Sequence, residues 1–180
     1  VLGMMASDSL QAGLPVEQIC RETATTGGTV AIVGCTDANA ACAFSQSGSF
    51  IVQALVPNPA VLASVSSGID EQGRDGTVTA TLLSGDSLPY IDNIINLLVA
   101  ESLGAVTMDE VMRVLVPGGT AAIATDGQWK YHTKSWPSSM DQWTHYMHDP
   151  GNNAVANDSE IGPPRHLQWT DGPKWARHHD

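Results

Sequence analysis

At 180 residues, 42% of them hydrophobic and 15% charged, the chain can bury one domain core and carry an appendage, and its Val, Ile and Leu content excludes a disordered chain. No apolar run reaches the ~20 residues of a membrane-spanning helix. The 8 basic and 19 acidic side chains give a net charge of −11, which argues against nucleic acid as a partner, because phosphate binding needs a basic surface.

Pro15 to Thr25 places Val16, Ile19 and Cys20 on one helical face, with Pro15 suited to the first turn and Gly27-Gly28 as the stop. Thr29 to Val33 is a continuous apolar strand. A loop with Gly34, Thr36 and Asp37 leads into an Ala-rich helix from Ala38 to Phe44. Phe50 to Val56 reads as a second strand halted by Pro57-Asn58-Pro59, and Ala60 to Gly68 as a helix. Thr77 to Leu83 alternates as a third strand, and Ile94 to Ala100 is a fourth. Thr107 to Leu115 is a helix with Thr107 at the N-cap and Glu110 at capping-box spacing, ended by Val116-Pro117-Gly118-Gly119. Thr120 to Thr125 is a fifth strand, Asp126-Gly127 a two-residue hairpin turn, and Gln128 to Thr133 the antiparallel return. This order predicts an α/β fold: a doubly wound, mostly parallel Rossmann-like sheet with a final antiparallel hairpin, plus an irregular Trp/His-rich C-terminal extension.

All 5 Trp and all 6 His lie after residue 128, whereas residues 1–128 hold 3 basic and 13 acidic side chains. The shift predicts an N-terminal extension (1–14), the sheet domain (15–137) and a linker or strap (138–180). Cys20, Cys35 and Cys42 are too few for a disulfide framework and lack zinc spacing; Cys35 reads as a small buried hydrophobe. The opening Val1 reads as a processed or excised piece, with VLGMMAS too short for a full signal peptide.

In such a sheet a ligand binds at the carboxyl ends of the strands. There Val30-Ala31-Ile32-Val33-Gly34-Cys35-Thr36-Asp37-Ala38 resembles the nucleotide loop of class I S-adenosylmethionine-dependent methyltransferases. Gly85 to Asn93 resembles the family's segment between strands three and four, and Glu110 to Gly119 its helix and Arg-Val-Leu-x-Pro-Gly-Gly turn before strand five. The resemblance implies S-adenosylmethionine contacts at Gly34, Asp37, Asn58 and Asp86, although Asp86 could equally cap a turn. The departures point the other way. Of three loop glycines only Gly34 remains, with Thr36 and Ala38 in the other two places. Val56 or Asn58 stands where the family has a ribose-binding acid, and Asn96 and Glu101 come without an activating base. Cys35, Thr36, Ala38 and Val56 are therefore expected to close the cleft, leaving no catalytic residue and no bound cofactor, with S-adenosylmethionine as the cofactor if the site functions.

Asp141 to Asp149, Gly162 to Trp169 and Gly172 to Asp180 resemble the junction, in planctomycete-type secreted proteins, between a methyltransferase-like domain and a β-propeller of the pyrroloquinoline-quinone-dehydrogenase type. That resemblance implies an extracytoplasmic setting and a propeller partner held through residues 138–180. His145, His148 and Asp149 are spaced as candidate metal ligands. The expected function is a degenerate methyltransferase-like scaffold. The alternatives are an active methyltransferase and an accessory domain of a quinoprotein oxidoreductase.

Overall fold

A computed structural model describes residues 14–159 and divides the chain into two units at Ser135/Trp136. The first contains α1 (Val16–Thr23), β1 (Gly27–Val33), α2 (Ala38–Ser47), β2 (Ser49–Val56), α3 (Pro59–Glu71), β3 (Val78–Leu82), β4 (Ile95–Ala100), α4 (Met108–Val114), β5 (Leu115–Thr125) and β6 (Gln128–Thr133). The strands form one sheet in the order β3-β2-β1-β4-β5-β6. All neighbours are parallel except β5 and β6. The predicted α/β class and final hairpin are what the chain adopts. Asp126 and Gly127 have φ of 53° and 76°, the double left-handed geometry of a tight hairpin turn.

Alternation along the strands sends two residue sets to opposite faces. Val30, Ile32, Val52, Ala54, Val56, Leu97 and Val99 face α1, α2 and α3. The small residues of α2, Ala41 with no exposed surface among them, let that helix approach the sheet, and Phe44 meets Phe50 edge to face at 6.5 Å. On the other face Ala31, Val33, Leu55, Leu98 and Ala100 lie under Val111 and Val114 of α4 and under Leu88 and Tyr90 of the 83–94 connection. A parallel crossover usually carries a helix; this one carries none. That face is consequently thinly covered, and Ile51 is 66% exposed.

Three local readings shift. Gly27-Gly28 do not stop α1, which ends at Ala24 in the left-handed region (φ 52°); the glycines open β1 instead. Gly28 has φ 109°, and a Cβ there would collide with the Asn96 side chain, whose Oδ1 accepts from Thr29 N at 2.9 Å. The Pro-Gly-Gly turn lies inside β5 as an irregularity against β4. A Cβ on Gly119 would meet Val116 O at 2.9 Å. Half of the expected capping box forms: Thr107 Oγ1 accepts from Glu110 N at 3.3 Å, while the Glu110 carboxylate turns elsewhere.

Gly28→Ala should lower stability by about 2 kcal/mol, from a disfavoured φ plus loss of the Asn96 hydrogen bond. Urea denaturation would show this, and an unchanged midpoint would refute the account.

Candidate functional site

The strand order reverses between β1 and β4, where an open α/β sheet leaves a crevice at its carboxyl edge. Gly34 stands there, exposed, with φ 72°. The nearest atom to a Cβ built on it is Ser102 O of the β4–α4 loop, at 3.6 Å. The segments leaving β1, β2, β3, β4 and β5 carry Asp37, Asn58, Asp86, Glu101 and Asp126, all exposed, and no Lys or Arg.

Local helix chemistry positions two of these groups. Asp37 is the N-cap of α2, its Oδ1 accepting from Asn39 N at 2.9 Å. Asn58 is the N-cap of α3, its Oδ1 accepting from Val61 N at 3.0 Å. Each satisfies a helix-terminal N–H that would otherwise lack an intrahelical partner. A polar cavity of ≈ 690 Å³ lies between the start of α2 and α3, lined by Thr36, Asp37, Asn39, Ser64, Ser67 and Glu71 among others. Of the four expected cofactor residues only Asp37 lines it.

Of the four side chains expected to close the cleft, Thr36 and Ala38 line this cavity, and Cys35 and Val56 do not. Cys35, Ala38 and Val56 are 5%, 8% and 0% exposed and belong to the core beneath α2 and α3. Thr36 alone of the four is exposed. Strand alternation places Val56 on the same face as Ala54 and Val52, in the core under α2 and α3. The Cys35 thiol donates to Asp37 O at 3.4 Å, and burial pushes its pKa up. All three cysteines are free.

Sequence reasoning missed a polar cluster behind the crevice. Glu110 Oε1 accepts from Leu88 N (2.7 Å), Ser87 Oγ (3.2 Å) and Arg113 Nη2 (2.7 Å), and Oε2 accepts from Arg113 Nε (2.7 Å). Arg113 Nη1 donates to Tyr90 O at 2.9 Å and to Asp92 Oδ1 at 2.6 Å. Lys134 Nζ donates to Asn93 Oδ1 at 2.6 Å and Leu115 O at 2.8 Å. The Arg113 fork, then the Leu88 N–H, hold Glu110 at a pKa of about 2. The i, i+3 spacing of Glu110 and Arg113 was a signal for the pair, but not for the loop it grips.

The second unit, over its described residues 136–159, has no helix or strand. Buried His148 bonds Asp141 Oδ2 through Nε2 at 2.6 Å and Asp149 Oδ2 through Nδ1 at 3.2 Å. Asp141 Oδ2 also accepts from Asn157 N at 2.6 Å. These contacts raise the His148 pKa, Asp141 contributing most, and lower that of Asp141. Of the expected metal ligands, His148 and Asp149 contact one another, while His145 Nδ1 contacts Thr144 Oγ1 at 2.8 Å. Among the described residues no group of three or more His, Cys, Asp or Glu is placed to hold a metal ion, and no helix is long and apolar enough to cross a membrane. The resemblance blocks after residue 159 lie outside the described residues.

No family model and no curated protein sequence matches the chain, but solved structures do. One, assigned as an S-adenosyl-L-methionine-dependent methyltransferase from Methanococcus maripaludis, is 20% identical with a TM-score of 0.55, over 60% of this chain and 52% of that one. The [4+2]-cyclase SpnF is 23% identical with a TM-score of 0.55, over 60% and 42%. Geranyl diphosphate C-methyltransferase from Streptomyces coelicolor A3(2), solved with Mg²⁺, geranyl diphosphate and S-adenosyl-L-homocysteine, is 16% identical with a TM-score of 0.55, over 60% and 43%. The fold is thus methyltransferase-like, and the chain spans about half the length of the structures it matches. A cyclase among these neighbours illustrates that the fold does not dictate the reaction.

Two predictions follow from this geometry. Val56→Asp, which would restore the family's acid on paper, should destabilise the domain by about 3 kcal/mol or more, because the carboxylate enters the core unpaired; a variant as stable as wild type in urea would contradict the placement. Glu110→Gln should cost about 1–3 kcal/mol at pH 7. The folded pKa of Glu110 is about 2 against an ordinary 4.5, so its contribution is complete above about pH 4.5 and fades as pH falls toward 2. Urea midpoints of wild type and variant should converge over that range, and a constant gap would refute the linkage.

Proposed function

We propose that residues 14–135 form a methyltransferase-fold module that holds an adenosyl cation of the S-adenosylmethionine type without transferring its methyl group. The observation that carries this reading is the carboxyl edge, where Gly34 is exposed in the left-handed region with Ser102 O as the one atom within 4 Å of a built Cβ and every charged residue leaving β1 to β5 is acidic. A one-signed rim attracts a sulfonium cation and repels phosphates and carboxylates. Gly34, Asp37 and Asp86 are the residues that would hold the ligand. Asn58 is a weaker candidate, because its Oδ1 caps α3 and an amide is a weaker partner than a carboxylate. Glu101 is the remaining carboxylate at the β4 end, and no described side chain is arranged to activate a methyl acceptor there.

A second reading, a scaffold that binds no cofactor, is favoured by the caps that engage Asp37 and Asn58 and by the absence of a carboxylate in Pro57-Asn58. We extend the proposal to the second unit as a strap that docks a β-propeller in an extracytoplasmic setting. Trp136, Trp143 and Tyr146 support it, being 55%, 51% and 95% exposed, since exposed aromatics favour interfaces.

Calorimetry on the 180-residue chain tests the main reading. S-adenosylmethionine should bind more tightly than the uncharged-sulfur product S-adenosylhomocysteine, and added salt should narrow the difference through screening. Binding of neither at millimolar concentration would leave the scaffold reading.

A further inference from the structure

The carboxylate of Asp86 is exposed, and no hydrogen bond among the described residues holds it. On its amino side is Gly85, with φ 80° and no atom within 4 Å of a built Cβ. On its carboxyl side Ser87 and Leu88 are both gripped by Glu110, through the Ser87 hydroxyl at 3.2 Å and the Leu88 N–H at 2.7 Å. Leu88 is also buried, at 2% exposure, in the core beneath α4. On the amino side the next backbone anchor is Leu83, whose N–H donates to Val56 O at 2.9 Å, so the nearer anchor of Asp86 is on its carboxyl side. The anchor itself cannot swing, because Arg113 holds both Glu110 oxygens at 2.7 Å and extends its other guanidinium nitrogen to Tyr90 O and Asp92.

We propose that Glu110 is a positioning residue for the crevice: it fixes Ser87 and Leu88 and so holds Asp86 at the carboxyl edge of β3, ready to accept from a donor on the ligand. The inference rests on the adenosyl-cation reading above for the identity of that ligand. Its physical content is preorganisation. A backbone already ordered at Asp86 in the free protein is not immobilised on binding, and the affinity keeps what that ordering would otherwise remove. Glu110 touches no ligand in this account and acts through Asp86 alone.

A double-mutant cycle on the whole chain tests it, with S-adenosylmethionine and S-adenosylhomocysteine titrated calorimetrically into wild type, Asp86→Asn, Glu110→Gln and the double variant. Each single change should weaken S-adenosylmethionine binding about tenfold, and the double variant should be no weaker than Asp86→Asn alone. Ser87→Ala removes one anchor bond while leaving the Glu110–Arg113 pair intact. It serves if Glu110→Gln folds poorly, with a smaller loss and the same lack of additivity. In the ligand-free protein, the ¹⁵N order parameter of the Asp86 amide should fall from about 0.85 toward 0.6 in Glu110→Gln, with Val30 to Val33 unchanged. Additive losses, an unaltered affinity in Glu110→Gln, or an unaltered order parameter would each overturn the proposal. A wild-type chain that binds neither compound overturns the adenosyl-cation reading instead and takes the ligand role of Asp86 with it. The order parameter then still decides whether Glu110 fixes that residue.

Discussion

The interaction on which the second face of the sheet depends is the fork of Arg113 on Glu110. The chain must cross from β3, at one edge of the sheet, to β4 beside β1, and a crossover without a helix has no internal way to satisfy its backbone polar groups. Glu110 and Arg113 of α4 supply partners for the Leu88 N–H and the Tyr90 carbonyl, and Lys134, the residue after β6, holds the Asn93 side chain. With the loop fixed, Leu88 and Tyr90 cover Leu55 and Val33. One arginine and its carboxylate thus replace part of a helical layer, and the uncovered remainder is where Ile51 stands exposed.

The same topology segregates charge. Helices α1 and α4 run against the strands and end where β1 and β5 begin, so the cations in their last turns lie at the amino edge. Arg21 and Arg113 lie in the last turns of α1 and α4, where the helix dipole favours them. Lys134 follows the antiparallel β6, whereas Arg74 follows α3, whose end meets the start of α2 through Gln72 Nε2, which donates to Asn39 Oδ1 at 3.1 Å. Asp37, Asp86, Glu101 and Asp126 follow the strands at the carboxyl edge, with Asp109 in the first turn of α4 and Lys130 opposite Ile123 near the end of β5. Acidic residues therefore predominate at the edge where the topology makes a crevice. Net charge alone would have suggested an evenly acidic surface.

The second unit is stabilised by different means. It has no regular backbone ladder across residues 136–159, and an imidazole between two carboxylates ties Asp141, His148 and Asp149 together. Within residues 136–159 Trp136, Trp143 and Tyr146 are exposed, Tyr146 at 95%, and charge-assisted hydrogen bonds tie that segment together.

Element order, the α/β class, the Thr107 cap and the Asp126-Gly127 hairpin were legible in the sequence, because apolar periodicity and turn chemistry act within a few residues. So was the place of Gly34 directly after β1. Three features were decided only in three dimensions. Val56 and Ala38, close to the loop in sequence, turned inward because strand alternation and the packing of α2 on α3 set their direction; a Cβ on Gly68 would meet Ala38 Cβ at 2.7 Å. The Gly27-Gly28 pair became part of β1 because Asn96, 67 residues from its hydrogen-bond partner Thr29, fills the space beside Gly28. The grip of Glu110 on Ser87 and Leu88 joins segments 22 or 23 residues apart, and no local pattern encodes it, since a capping-box glutamate has the same spacing whether it turns back to its own helix or reaches across to a loop.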